Sequence, residues 1–277
     1  MLEIYCTMLS AFVDICYYIM DIQIATMEES YLKSYSAFYD RESYQEMFAN
    51  ALSKIFTDVK LGGVRSCLAI GAGDGWCEIE FIKHSGANIS KFIGIEPDHD
   101  SAEHLRTSLR SSLPGVESQV LESKIQNWEG PGEPVDLVMM FQVLYYISAE
   151  ERQKLLKKVH DSWLASGGYV ALVTGRRTKA PNSAEKISEN LGLPPRGMWE
   201  ETAADFQKAG FTKQCEQEMQ WTKDVTDHSI EDLLPFFQRK FKDRIVTLAE
   251  LRDAMKGHIS EGKMRTFCTL AIFKSTN

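Results

Sequence analysis

The sequence lacks the features that mark several classes of protein. Its six cysteines form no CxxC pair, and no histidine lies at ligand spacing from them, which argues against a disulfide framework or a zinc site. Lysine and arginine total 31 against 39 acidic residues, a net charge of -8. With no basic block, this balance argues against nucleic acid or an anionic membrane as a partner. Asp14 interrupts the apolar stretch 8–20, so no run reaches transmembrane length. We therefore expect a reduced, cytoplasmic protein without a metal.

The 277 residues are 44% apolar and 25% charged, a composition typical of a soluble globular protein. That length allows one large domain, or one domain with a small cap. Residues 1–26 lack a basic leader segment and are expected to form a helix with an apolar face or a frayed extension. Residues 27–277 are expected to form the main domain, with substrate-cap segments near 28–56 and 176–262.

Strand and helix patterns alternate along the chain. Apolar β patterns are separated by helical periodicity and short connections, which predicts a doubly wound α/β sheet with parallel strands and helices on both faces. The predicted strands are 66–70, 91–96, 116–121, 136–141, 169–174, 211–220 and 267–273.

A glycine-rich turn follows the first predicted strand. Gly71, Gly73 and Gly75 have the spacing GxGxG, and glycines there allow a sharp turn and a close approach of backbone to ligand. Trp76 occupies the third-glycine position of the dinucleotide motif GxGxxG, which disfavours a nicotinamide-dependent oxidoreductase. The turn instead resembles the loop of S-adenosylmethionine (AdoMet) methyltransferases.

An acidic residue ends the second predicted strand. Glu96 lies 25 residues after Gly71, where a carboxylate can accept hydrogen bonds from both ribose hydroxyls of a nucleotide at the switch point of the sheet. Ser101, five residues further on, is a candidate for the rim of the same cofactor site.

Gln142-Val143-Leu144-Tyr145-Tyr146 follows the fourth predicted strand. Aromatic faces beside the cofactor suit a sulfonium or an ammonium through cation–π attraction, and Gln142 can hydrogen-bond a polar substrate. The alternative is that Leu144, Tyr145 and Tyr146 only cap the core, because aromatic residues are core residues first.

Together these stretches resemble the histamine N-methyltransferase family over residues 29–273. The resemblance rests on Tyr31-Leu32-Lys33-Ser34-Tyr35, the glycine turn, Ile95-Glu96-Pro97 and the Gln142 to Tyr146 run. It implies methyl transfer from AdoMet to the nitrogen of a small, histamine-like amine in an aromatic pocket, by a monomer. The cofactor residues that it implies are Gly71, Gly73, Glu96, Ser123 and Phe141. Ser101 is added to them because of its position after Glu96. The substrate residues that it implies are Tyr31, Tyr35, Glu42, Gln142, Tyr145, Tyr146, Phe237 and Cys268.

The sequence departs from the family at the pocket. Cys268 stands where the family has an asparagine, and small residues near Ala184 and Ser188 replace two tryptophans. The small residues predict a wider pocket. Arg176 and Arg177, which precede them, either make its rim more basic or lie in a solvated loop, since paired charges in loops usually face water. These departures leave open a different acceptor, such as an imidazole amino acid, and a non-catalytic AdoMet-binding interaction module.

Methyl transfer from a sulfonium to a nitrogen is an in-line displacement. It needs a neutral amine, a short approach and a dry site more than a covalent nucleophile. We therefore expect no single essential catalytic base.

Overall fold

The computed structural model describes residues 41–177, 183–192, 198–225, 230–238, 244–259 and 262–277. The expected N-terminal extension, Tyr31 and Tyr35 lie outside these residues. Within the described ranges, no helix is both long enough and apolar enough to cross a membrane.

A seven-stranded sheet in the order β3-β2-β1-β4-β5-β7-β6 forms the centre of the fold. Strands β1, β2, β4 and β5 are largely buried, as expected when helices cover both faces of a sheet. Edge strand β3 is mostly exposed and polar. The strands are β1 Ser66–Ile70, β2 Lys91–Glu96, β3 Glu117–Glu122, β4 Val135–Phe141, β5 Leu164–Gly175, β6 Phe211–Asp224 and β7 Lys263–Ser275.

Several helices begin at residues whose side chains accept from their first backbone N–H groups. Asp98 accepts from the N–H of Ser101 at the start of α3, and Ser148 and Thr247 form capping boxes at α4 and α8. The helices are α1 Arg41–Asp58, α2 Trp76–Ser85, α3 His99–Ser112, α4 Ala149–Lys158, α5 Ala184–Asn190, α6 Trp199–Lys208, α7 Ile230–Gln238 and α8 Leu248–Met255.

The predicted doubly wound sheet is confirmed, with one correction to its direction. Strands β3, β2, β1, β4 and β5 are mutually parallel, but β7 runs antiparallel to β5 and pairs Cys268 with Gly175. The βα alternation stops after Gly175, so no crossover rule fixes the direction of the last strand. The sheet is therefore mixed.

The chain divides into two compact units. The first, the sheet unit, comprises residues 43–180, 194–221 and 265–277; the second, the helical unit, comprises 1–42, 181–193 and 222–264. Each has its own apolar core. The assignment of 28–56 and 176–262 to a substrate cap stays a prediction.

Candidate functional site

The glycine turn after β1 is shaped by left-handed backbone. Gly71, Gly73 and Gly75 have φ of +65°, +54° and +79°, a region that side chains with a Cβ disfavour. The N–H of Gly71 donates to the carbonyl of Ile95 at 2.8 Å. The turn is thereby tied to the end of β2, on the neighbouring strand.

Two of these glycines are also required by their neighbours, and the third faces open space. A Cβ at Gly71 would lie 2.4 Å from Cγ2 of Val143, and a Cβ at Gly75 would lie 2.2 Å from Cδ1 of Leu105. A Cβ at Gly73 would meet nothing within 4 Å. The crest of the turn is therefore open to a ligand, while its two ends are packed against protein.

Glu96 joins the turn to the end of β2 through both carboxylate oxygens. Oε2 accepts from the N–H of Gly73 at 2.8 Å, and Oε1 accepts from the N–H of Asp98 at 3.0 Å. The residue is 8% exposed. These bonds fix the orientation of the carboxylate, and carboxylate oxygens accept several hydrogen bonds each, so ribose hydroxyls are compatible additional donors. The open crest at Gly73 and the oriented acid at Glu96 fit the nucleoside part of AdoMet.

The other predicted cofactor residues lie around Glu96 and β4. Ser101 donates its N–H to Oδ1 of Asp98 at 2.9 Å, in the first turn of α3. The N–H of Ser123 donates to the carbonyl of Glu96 at 3.2 Å. Phe141 ends β4 and is 5% exposed. Whether these three contact the cofactor stays a prediction.

A second carboxyl group lies behind the turn. Glu78, in the first turn of α2, is 2% exposed. Burial raises the pKa of its carboxyl well above the usual value, and the nearby charges of Asp74 and Glu96 raise it further.

Gln142 brings two distant predicted substrate residues together. Its N–H donates to the carbonyl of Val173 at 2.8 Å, and its side-chain Nε2 donates to Sγ of Cys268 at 3.0 Å, across 126 residues of sequence. Among the described residues other than glycine, only Gln142 has a positive φ, +54°. A strained backbone held by its surroundings is characteristic of functional positions.

The tyrosines after Gln142 differ in burial. Leu144 is fully buried in the core of the sheet unit, Tyr145 is half-buried and Tyr146 is 50% exposed. The two tyrosine rings lie 4.4 Å apart between centroids. Leu144 therefore caps the core, as the alternative interpretation expects, but Tyr146 does not.

Two other predicted substrate residues belong to the helical unit. Phe237 is fully buried in the core of that unit, and Glu42 lies on α1, with its side chain outside the described set. Ala184 and Ser188 are buried on α5. Their roles in a pocket stay predictions.

Arg176 and Arg177 both form ion pairs with glutamates, and their place at the rim of a pocket stays a prediction. Arg176 lies 2.9 Å from Glu218 and 3.8 Å from Glu216, and it donates to Oγ1 of Thr269 at 3.3 Å. Arg177 pairs with Glu201. Glutamates that are distant in the sequence neutralise both charges. The sequence around the arginines does not reveal these partners.

A group of aromatic residues beside the turn was missed by the sequence reasoning. Trp76 contacts Tyr44 and Phe48 at 5.9 and 5.7 Å between ring centroids, and Phe48 contacts Phe141 at 6.0 Å. The spacing of Tyr44 and Phe48 by four residues on a helix was the available signal.

The central part of the chain matches a known family. Residues 67–168 match the model described as a methyltransferase domain. They run from β1, through the glycine turn and Glu96, into β5. No curated protein sequence gives a significant match to the chain.

Several solved methyltransferases share the fold. A Bacillus halodurans protein assigned as a methyltransferase is 13% identical with a TM-score of 0.58, over 82% of this chain and 99% of that one. The N-methyltransferase NodS from Bradyrhizobium japonicum, solved with S-adenosylhomocysteine, is 12% identical with a TM-score of 0.53, over 90% and 99%. Geranyl diphosphate methyltransferase, solved with S-adenosylmethionine, is 14% identical with a TM-score of 0.50, over 85% and 86%.

The sheet, the glycine turn with Glu96 and the matched stretch define a class I methyltransferase domain whose cofactor is S-adenosylmethionine. The chain is thus an AdoMet-dependent methyltransferase. Its acceptor is a separate question, because at this level of identity the solved neighbours establish the fold alone.

Proposed function

We propose that this methyltransferase transfers the methyl group to the nitrogen of a small, histamine-like amine. The observation that carries the proposal is Gln142, a strained residue at the carboxyl end of β4 whose amide is held by Cys268. A side-chain amide there offers both a donor and an acceptor to a polar acceptor molecule. Open α/β sheets bind ligands at the carboxyl ends of their strands.

The cofactor, when bound, supplies an electrophilic methyl group on a sulfonium, and the lone pair of the acceptor nitrogen displaces the thioether in line. The chain supplies position: Glu96 and the turn at Gly73 hold the nucleoside end, and Gln142 orients the amine. Holding reacting atoms in line is worth roughly 7–11 kcal/mol. The nitrogen must be neutral to react and loses a proton after transfer, so no covalent nucleophile is required.

Aromatic residues give the acceptor site its second property. Tyr145 and Tyr146 follow Gln142 in a short turn fixed by the buried Leu144. Tyrosine rings attract ammonium and sulfonium groups and exclude water. This arrangement favours an amine over a neutral oxygen acceptor.

The ion pairs that Arg176 and Arg177 form with glutamates bear on which amine is the substrate. Arg176 and Arg177 are neutralised by glutamates, so neither is poised to bind a substrate carboxylate. The pairing favours a simple amine over the imidazole amino acid that the sequence left open.

A methyl-transfer assay with AdoMet tests the proposal. Histamine, phenethylamine and histidine form the panel, with methylated product detected by mass spectrometry. We expect turnover of histamine or phenethylamine in preference to histidine. Silence on all three amines with AdoMet bound would contradict the proposal and favour a non-catalytic module or another acceptor.

A further inference from the structure

Trp76 is the first residue of α2 and directly follows the glycine turn. Its N–H donates to Oδ1 of Asp74 at 3.1 Å, so the backbone at this point is held by the turn itself. Nothing in the glycine motif requires a large aromatic residue there.

The indole is held by α1. Tyr44 and Phe48 lie one helical turn apart on that helix and both contact the Trp76 ring. Tyr44 in turn contacts Trp221 on β6 at 5.1 Å, nearly perpendicular. Tyr44, Phe48 and Trp221 are all buried, with exposed fractions of 6%, 0% and 3%. Tyr44 and Phe48 thus fix the orientation of the indole directly, and Trp221 does so through Tyr44.

These contacts link the indole to the carboxyl end of β4. Strand β1 lies between β2, which carries Glu96, and β4, which carries Phe141. Trp76 contacts Phe48, which contacts Phe141, the residue before Gln142. The ring contacts therefore extend from the indole toward the strand end that Gln142 follows.

Burial separates Trp76 from the rings that hold it. Tyr44, Phe48 and Trp221 are buried, whereas Trp76 remains partly exposed. A large apolar ring that is held rigidly and left partly open beside a ligand site costs hydration free energy unless a ligand covers it.

We infer that Trp76 is a specificity residue for the acceptor, against whose indole face the flat ring of an aromatic amine packs. The inference rests on the proposed function and deepens it: the acceptor class is a small amine that carries an aromatic ring. Tyr44 and Phe48 are positioning residues, because they act through Trp76. Indole offers the widest aromatic face for a ring or a cation.

The test compares Trp76→Leu and Trp76→Phe with Trp128→Phe. Trp128 is a matched control because its ring packs on Trp163 at 5.2 Å, in a loop outside the site. Kinetics on the three amines, AdoMet calorimetry and thermal unfolding are measured for each protein. We expect Trp76→Leu to raise KM for the aromatic amine about tenfold, with AdoMet affinity and kcat little changed. We expect a smaller rise for Trp76→Phe and none for Trp128→Phe.

A fluorescence titration supplies a readout that does not depend on turnover. Each amine is added to the protein saturated with S-adenosylhomocysteine, and tryptophan emission is followed. The amine that is turned over should quench the wild type and Trp128→Phe but not Trp76→Phe. Quenching that persists in Trp76→Phe would overturn the inference.

The remaining outcomes separate the two proposals. If the wild type methylates an amine and Trp76→Leu is unaffected, or loses AdoMet affinity as strongly as amine affinity, only the role of Trp76 fails. If the wild type methylates no amine of the panel, the proposed function fails and this inference fails with it.

Discussion

The two ends of the site are built differently. At the cofactor end, backbone groups fix the shape of the site. The N–H of Gly73 donates to Glu96 and the N–H of Gly71 donates to Ile95. The turn also takes left-handed φ values that suit glycine. At the acceptor end, side chains fix the shape of the site, because the Gln142 amide donates a hydrogen bond to Sγ of Cys268. The cofactor end uses features that any AdoMet-binding chain can share, while the acceptor end depends on individual side chains.

This contrast explains why the acceptor is harder to assign than the cofactor. A backbone turn and one acid accept the same nucleoside in many proteins. A glutamine, a cysteine and a few aromatic rings are individual side chains, so single substitutions alter the acceptor end.

The largest effect is expected at the cofactor end, from Gly71→Ala. The new Cβ would lie 2.4 Å from Val143 and would sit at a φ of +65°, so we expect a loss of about 3 kcal/mol in the free energy of unfolding. Urea denaturation measures it. Gly63→Ala is the control, since a Cβ there meets nothing within 4 Å. Equal stability of the two variants would show that the turn is not tightly packed.

Glu96→Ala should come next. Removing hydrogen bonds to a charged group costs AdoMet binding at least about 1.5 kcal/mol, or roughly tenfold in Kd. Calorimetry with AdoMet gives the affinity. Glu122→Ala is the control, because Glu122 is the partner of Glu96 in the β2–β3 register but is exposed. An unchanged Kd in Glu96→Ala would exclude the ribose role.

Gln142 tests the acceptor end with a smaller effect. Gln142→Ala removes the amide and should raise KM for the amine about fivefold, equivalent to one uncharged hydrogen bond of about 1 kcal/mol, with AdoMet affinity unchanged. Gln142→Gly separates strain from chemistry, because glycine accepts the φ of +54°. If Gln142→Gly matches the wild type in KM, the amide does not bind the acceptor.

The smallest effect concerns pH and the buried carboxyl behind the turn. Burial raises the pKa of Glu78 in the folded state above 4.5, its ordinary value. The stability that its protonated form contributes is therefore present below that value and is lost as the pH rises through the folded pKa.

Glu78→Gln cannot ionise, so it should lose less stability than the wild type as the pH rises. Between about pH 5 and about pH 8 we expect the Tm of the wild type to fall further than that of Glu78→Gln. Thermal melts at both pH values measure this. Parallel changes in the two proteins would mean that folding does not raise the pKa of Glu78.

The features that sequence predicts best are the local ones. Strands β1 and β2 were predicted with their observed bounds, because the apolar pattern of a buried strand extends over only a few positions. The glycine turn and Glu96 follow one another along two adjacent strands, so their convergence also follows from the predicted topology.

The features that sequence missed depend on contacts between distant segments. The bond from Gln142 to Cys268 and the pairing of Arg176 with Glu218 join different strands, and no local pattern encodes either partner. The antiparallel direction of β7 follows a break in the βα alternation. Trp76 was considered only as a missing glycine, because its aromatic neighbours on α1 become visible only in the fold.

A double-mutant cycle tests most directly whether the cofactor end and the acceptor end contribute independently to catalysis. The quantity is kcat/KM for the amine, at low AdoMet, in the wild type, Glu96→Ala, Gln142→Ala and the double variant. Sites that act separately should give effects that add within about 0.5 kcal/mol. A coupling free energy well above that value would contradict the account, because it would show that the cofactor and acceptor ends act as one unit.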